Sequence, residues 1–308
     1  MSVSEPPVDH PRSQPEPTPP DASAEQVFQV QFWGVRGSVP TPGRRTVRYG
    51  GNTSCVEMRV GKQHLIFDGG TGLRVLGMSL LKEMPIKAHL FFSHTHWDHI
   101  QGFPFFVPAF IPINQFQIYG AIAPNGMTIK DRLCDQMVHP NFPVPIQVMQ
   151  SDMKFHDIIP GETIVIDDVK IETTRLNYPS IALGYRVSWR GLSAVYCPDT
   201  EHFQDRMDEK VLHLARHADL LIYDATYTNE EYYDVHSPKM GWGHSTWEMG
   251  VKIAQQAGVK QVVMFQHDPS HDDDFLDQMQ ADVQAHFSNG LVAQEGMCIK
   301  LNSVETHG

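Results

Sequence analysis

Cysteine is scarce in this chain of 308 residues, with four at positions 55, 134, 197 and 298, and no two of them form a C-x-x-C pair. That argues against a disulfide framework and fits reduced thiols in a cytoplasmic protein. No run of about 18 apolar residues exists, so no membrane span is expected. The N-terminus lacks a basic stretch followed by an apolar one, so no secretory signal is expected. Positive charge is also short. Lys and Arg total 24 against 36 Asp and Glu, a formal net charge of −12. This argues against a large nucleic-acid footprint, which needs clustered cations. It leaves room for a small phosphate substrate, because a bound metal brings its own positive charge. What the chain does have is 41% hydrophobic residues, enough for a sizeable core, and 17 histidines.

Residues 1 to about 25 are expected to be a disordered tail. Pro6, Pro7, Pro11, Pro15, Pro17, Pro19 and Pro20 alternate there with polar and acidic residues, leaving little to bury. A single domain is expected over 26–308. Phe28, Val30 and Phe32 alternate with polar residues, as a strand with one buried face requires. Further strands are predicted at Cys55–Val60, His64–Asp68, Ala88–Ser93, Ile164–Ile166, Val169–Thr174, Ala182–Trp189, Ala194–Cys197, Leu220–Asp224 and Gln261–Phe265. Helical patterns fall at Leu73–Glu83, Thr128–Met137, Asp205–His217, Thr246–Ala257 and Asp273–Phe287. Clustered strands followed by alternating strands and helices predict an α/β fold of stacked sheets flanked by helices. The stretch 102–160, rich in Pro, Phe and Met, is predicted to be an insertion packed over something as a lid.

The chemistry concentrates after the apolar run Ala88-His89-Leu90-Phe91-Phe92-Ser93. There follows His94-Thr95-His96-Trp97-Asp98-His99. Residues two apart in extended chain share a side, so His94 and His96 point together. Four potential ligands within six residues can serve two metals. Imidazoles suit zinc, and a carboxylate suits zinc, iron or manganese. Further ligands must come from elsewhere. Asp199 follows the strand ending at Cys197, and His267 follows the strand ending at Phe265. His244 stands just ahead of a helix capped by Ser245 or Thr246, where an imidazole can face a phosphate or oxyanion. Asp224 ends the strand Leu220-Leu221-Ile222-Tyr223 and can orient a histidine. Asp272–Asp274 read as the acidic first turn of the last helix.

These motifs in this order resemble the metallo-β-lactamase superfamily, in the phosphodiesterase branch that includes ribonuclease Z and cyclic-phosphodiester hydrolases. The resemblance runs from about Phe32 to Leu301. It includes Phe32-Trp33-Gly34-Val35-Arg36-Gly37-Ser38, Asp68-Gly69-Gly70-Thr71-Gly72, the H-x-H-x-D-H string, Pro198-Asp199-Thr200-Glu201, Gly243-His244-Ser245-Thr246 and His267-Asp268-Pro269. It implies a four-layer αβ/βα sandwich with metals at the sheet edge. His94 and His96 would bind one ion, and Asp98, His99 and His267 a second. Asp199 would bridge them, and Asp68 would support the site. His244, oriented by Asp224, would contact the scissile phosphate. Zinc, as one or two ions, is the implied cofactor, with manganese or iron as alternatives. A third histidine is implied before a Gly-Tyr-Arg. Here Tyr178 stands in that place, ahead of Gly184-Tyr185-Arg186, and a neutral phenol with a reference pKa near ~10 is a poor ligand. Gln266 stands where relatives often have a histidine beside the ligand.

The resulting expectation is a metal-dependent hydrolase acting on a small or cyclic phosphodiester through a metal-bound hydroxide. Asp98 would orient the hydroxide and His244 would protonate the leaving oxygen. Its expected partner is a small-molecule phosphodiester, with no membrane and no large nucleic acid, and the resemblance admits a homodimer. Two alternatives are a lactone or thioester hydrolase on the same core, and a catalytically impaired sensor or binding module, which Tyr178 would explain.

Overall fold

The computed structural model describes residues 27–302. The expected Pro-rich tail at 1–25 lies outside them. Alternation of buried and half-buried residues along β1 (Phe28–Gly34) follows the sequence pattern, with Phe28, Val30 and Phe32 in the core. Next come β2 (Cys55–Val60), β3 (Gln63–Phe67), α1 (Thr71–Leu80), β4 (Lys87–Phe91), α2 (Trp97–Ile100), β5 (Gln115–Ala121), α3 (Ile129–Asp135) and β6 (Asp152–Ile158). The second half holds β7 (Thr163–Ile166), β8 (Val169–Arg175), β9 (Leu183–Trp189), β10 (Leu192–Cys197), α4 (Glu209–Ala215), β11 (Leu220–Asp224), α5 (Asn229–Tyr232), α6 (Trp247–Ala257), β12 (Gln261–Phe265), α7 (Asp273–His286) and β13 (Gly290–Val292). The last strand, β14 (Cys298–Leu301), returns to the first sheet.

Two seven-stranded sheets result, ordered β14-β1-β2-β3-β4-β5-β6 and β13-β12-β11-β10-β9-β8-β7. Apolar residues of β1, β2, β9, β10 and β12, such as Phe32, Met58, Tyr185, Tyr196 and Phe265, fill the space between them. On the outer face of the first sheet, Leu73 and Leu76 of α1 and Leu133 of α3 form a second core. On the outer face of the second, α4, α6 and α7 bury Leu214, Ile253 and Leu276. This is the four-layer αβ/βα sandwich the motifs implied.

The stretch 102–160 differs from its expectation as a lid. β5 pairs parallel with β4, and β6 pairs parallel with β5, so the segment widens the first sheet. The period was present in Gln115-Phe116-Gln117-Ile118, whose Phe116 and Ile118 are buried. The aromatic and proline content on either side masked it.

The topology also explains where chemistry can sit. β3 to β6 run parallel in one sheet, and β10 to β13 run parallel in the other. Asp68, His94, Asp199 and Gln266 follow strands of these sets, and Asp224 closes one. Open α/β sheets place ligands at such carboxyl ends. The crossing there is tight. A Cβ on Gly102 would lie 1.8 Å from the carbonyl oxygen of Gly70, whereas one on Gly43 would meet nothing closer than 3.8 Å. Gly102→Ala should therefore cost about 3 kcal/mol or more, and Gly43→Ala less than about 0.5 kcal/mol, as read from urea-unfolding midpoints.

Candidate metal centre

His99 is the fixed point of the site. Its Nδ1 lies 2.8 Å from Asp68 Oδ2, and the same carboxylate accepts from the Ser93 amide at 2.7 Å, the Ser93 hydroxyl at 2.8 Å and the Tyr196 hydroxyl at 2.8 Å. A proton held on Nδ1 leaves Nε2 aimed inward, the usual device for orienting a metal-binding imidazole. That Nε2 is 3.1 Å from Asp199 Oδ1 and 3.2 Å from Asp98 Oδ2. His94, at the end of β4, is buried with its Nε2 3.6 Å from Asp199 Oδ2. Ligand atoms of His94, His99 and Asp199 lie within 4.8 Å of one another, all buried.

Two of these atoms, His94 Nε2 and Asp199 Oδ1, are buried without a hydrogen-bond partner. Burial, and then the neighbouring His99, push the His94 imidazole well below its ordinary pKa, so it keeps a lone pair. Burial works against charge on Asp98 and Asp199, but His99 outweighs it and holds both carboxyls below the usual range. His94 offers a neutral imidazole, whereas Asp199, Asp98 and Asp68 outweigh burial and push His99 well above its ordinary value, so a divalent ion would take the place of the proton on its Nε2. The residues fit the metal that the fold implies.

The remaining predicted residues divide. His96 is exposed, its ring 4.5 Å from that of His94, and its Nδ1 lies 3.0 Å from the Tyr178 hydroxyl. Tyr178 thus does reach the cluster, but burial and the nearby Asp199, Asp98 and Asp224 push its phenol upward, so it keeps its proton. Asp224 accepts from the amides of Thr200 and Thr226 at 3.0 and 3.1 Å and from the Thr226 hydroxyl at 2.8 Å. It also lies 2.9 Å from His244 Nδ1. Burial opposes charge on His244, but Asp224, then Asp199 and Asp98, outweigh it and push the imidazole up to about 9. Its ring is 5.5 Å from that of Tyr178, and its Nδ1 3.9 Å from Asp199 Oδ2.

His267 does not join the cluster. Its Nε2 lies 2.8 Å from the Ala293 carbonyl, its ring packs edge-on against Tyr49, and burial followed by Arg36 drives its pKa down to about 3. Gln266 is there instead, with Nε2 2.9 Å from Asp98 Oδ2 and 3.1 Å from His99 Nε2. Consecutive residues leaving a strand face opposite ways, so only one of this pair could enter the site. Residue type favoured the histidine; the chain direction after β12 selects the glutamine. Glu201 was also missed. Its carboxylate accepts from the amides of Gly241 and Gly243 at 2.6 and 2.9 Å and from the Tyr232 hydroxyl at 2.6 Å, holding the loop that carries His244. Gly243 (φ +92°) lets that loop cross the Tyr178 ring, where a Cβ would sit 2.5 Å from a ring carbon.

Metal donors gathered at the strand ends of an αβ/βα sandwich define a metallo-hydrolase of the β-lactamase type. The Beta-lactamase superfamily domain family matches residues 43–267, and the chain belongs to that family. Ribonuclease Z of Picrophilus torridus is 25% identical over 309 aligned positions, covering 87% of this chain and 94% of that protein. Human tRNase Z, short form, superposes with a TM-score of 0.64 at 18% identity, covering 89% of this chain and 100% of the other. Zn(2+)-bound PqqB from Methylobacterium extorquens does so with a TM-score of 0.66 at 16% identity, covering 89% and 100%. At those identities the two structures show the shared fold. Among the described residues no helix is long and apolar enough to cross a membrane.

One expectation is overturned. A small-molecule substrate was expected, and a large nucleic acid was not, on a net charge of −12. A relative matched along nearly its whole length is named for cleaving RNA. Net charge sums the whole chain, whereas an RNA contact needs only local cations or a bound metal.

The raised pKa of His244 links stability to pH. In chelator-treated protein its charged form contributes fully below pH 6.5, and that contribution, at most about 3 kcal/mol, fades as pH rises through about 9. Urea midpoints measured between pH 6 and 10 should fall, and His244→Asn should flatten the decline.

Proposed function

We propose that this protein is a zinc-dependent phosphodiesterase whose substrate is RNA. The observation that carries the proposal is the Asp224–His244 pair set against the His94, His99 and Asp199 cluster. An imidazole held at Nδ1 by a buried carboxylate, which favours its charged form, offers its Nε2 proton to a leaving oxygen. His94, His99 and Asp199 would hold a divalent ion, which would supply Lewis-acid polarisation of a phosphoryl oxygen and lower the pKa of water. Zinc suits this imidazole and carboxylate set.

The chain's own residues do the rest. His96 lies beside His94 as the next imidazole available to the ion. Asp98 Oδ2 takes the Ser38 amide at 2.8 Å and the Gln266 amide at 2.9 Å, which holds the carboxylate so that Oδ1 can orient an attacking water. Charged His244 offsets negative charge growing on the phosphoryl group. Support for a polyanionic substrate comes from a cavity of about 450 Å³ on the other side of Tyr178. Its charged lining is Arg175, Arg206 and Lys210 against Asp208, whose carboxylate is engaged in capping α4, and the exposed Glu209. Successive phosphates leaving the centre past Tyr178 would meet three cations against one free carboxylate, that of Glu209.

Zinc-loaded protein should hydrolyse bis(p-nitrophenyl) phosphate and cleave a folded RNA such as a tRNA transcript. His244→Ala should lower kcat about 10²–10⁴-fold, and wild-type activity should decline on the alkaline side as His244 loses its proton, at a lower pH than in metal-free protein because the ion offsets the charge of Asp199. Cleavage of lactones or thioesters with no diester hydrolysis would refute the proposal. Lys210→Glu should weaken RNA binding and shrink its salt dependence while leaving the aryl diester rate unchanged.

A further inference from the structure

Gln266 sits where it changes what the centre can hold. Its side-chain amide is anchored from behind by the Ser54 hydroxyl, which donates to Gln266 Oε1 at 2.6 Å. The carbonyl therefore faces Ser54, and the NH2 group faces the site. Amide orientation follows from such partners, and here the carbonyl is matched by Ser54 and the NH2 by Asp98. The NH2 lies 2.9 Å from Asp98 Oδ2 and 3.1 Å from His99 Nε2. The Ser38 amide also donates to Asp98 Oδ2 at 2.8 Å. Two N–H donors thus occupy the oxygen that Asp98 turns toward His99. An amide NH2 has no lone pair to give a cation.

The rest of the cluster is different. His94 Nε2 and Asp199 Oδ1 are buried and partnerless, and with His99 they form the one close group of ligand atoms found among the described residues. The need for a cation is therefore concentrated between His94, His99 and Asp199, while the Asp98 side is already served by neutral donors.

We propose that the centre takes one divalent ion per chain, held at His94, His99 and Asp199, and that the Gln266 amide stands in for a second ion beside Asp98. This inference concerns metal content and does not depend on which substrate is cleaved.

The test is metal stoichiometry. Full-length protein is stripped with chelator, loaded with excess zinc, passed through a desalting column and analysed by mass spectrometry for zinc per chain. Wild type should retain one equivalent. Gln266→Glu keeps the side-chain shape but replaces the NH2 with an oxygen beside Asp98, and it should retain two. Gln266→His, which offers a ring nitrogen, is the second variant should the buried carboxylate hinder folding, and it too should retain two. Asp199→Ala should retain none. Two equivalents in wild type would mean that the amide turns its carbonyl to Asp98, and would overturn the proposal. So would none in wild type, or one in both Gln266 variants. One equivalent in a protein that cleaves no diester would refute the proposed function and leave this inference standing.

Discussion

Asp68 is the point through which the two sheets share one geometry. It follows β3 in a left-handed backbone conformation (φ +60°), which for a non-glycine residue costs roughly 1–2 kcal/mol. Its carboxylate accepts from Ser93 beyond β4, from His99 of α2 and from Tyr196 on β10 of the opposite sheet. Hydrogen bonds to a charged group contribute roughly 1.5–3 kcal/mol each, so the set outweighs the backbone strain. Because one of the donors is the Nδ1 side of His99, the same interaction that ties sheet to sheet also points Nε2 at Asp199. Fold and site are not separable at this residue. A change that moved β10 against β4 would turn the imidazole.

Much of this was legible because each strand-end motif combines a local rule with a chemical one. Cys55–Val60, Leu220–Asp224 and Gln261–Phe265 are strands with the predicted limits, since buried runs bounded by turn residues leave little freedom. The string His94 to His99 could be placed because an apolar strand must end before such a polar cluster. Of the two candidates Ser245 and Thr246, Thr246 caps α6, and of the acidic run expected in the first turn of α7, Asp273 and Asp274 lie in that turn while Asp272 caps the helix. What could not be read is what depends on direction in space. β5 and β6 gain their place from pairing with β4, a long-range contact that alternation hints at but does not state. Whether Gln266 or His267 enters the site depends on how the chain leaves β12, where Gln266 takes φ +65°. The buried Arg36 shows why His267 was claimed elsewhere. Its guanidinium bonds the carbonyls of Gly50, Asp268 and His271, and its backbone bridges to His267. That packing fixes the turn and sends the histidine toward Ala293. Charge misled for a related reason, because a sum of −12 carries no position.

Four buried aspartates surround the centre, and the way each is compensated separates structure from chemistry. Burial of an ionised carboxylate is tolerable only when donors or cations replace its water. Asp68 has four donors and Asp224 three neutral donors and one imidazole, so each is satisfied by the protein alone. Asp98 has two amides on the oxygen nearest His99. Asp199 is the exception. It lies among His94, His99 and His244, it is 1% exposed, and its Oδ1 has no hydrogen-bond partner although His99 Nε2 is 3.1 Å away. Short distance without hydrogen-bonding geometry is what ligands arranged around a common point look like, rather than ligands arranged around each other. Asp68 and Asp224 thus each orient an imidazole, that of His99 and that of His244. Asp199 is the one whose Oδ1 the protein leaves without a partner, which is why the proposed ion is placed there. The asymmetry between Asp98 and Asp199, more than the number of histidines in the motif, is what favours the proposed ion beside Asp199 over one beside Asp98.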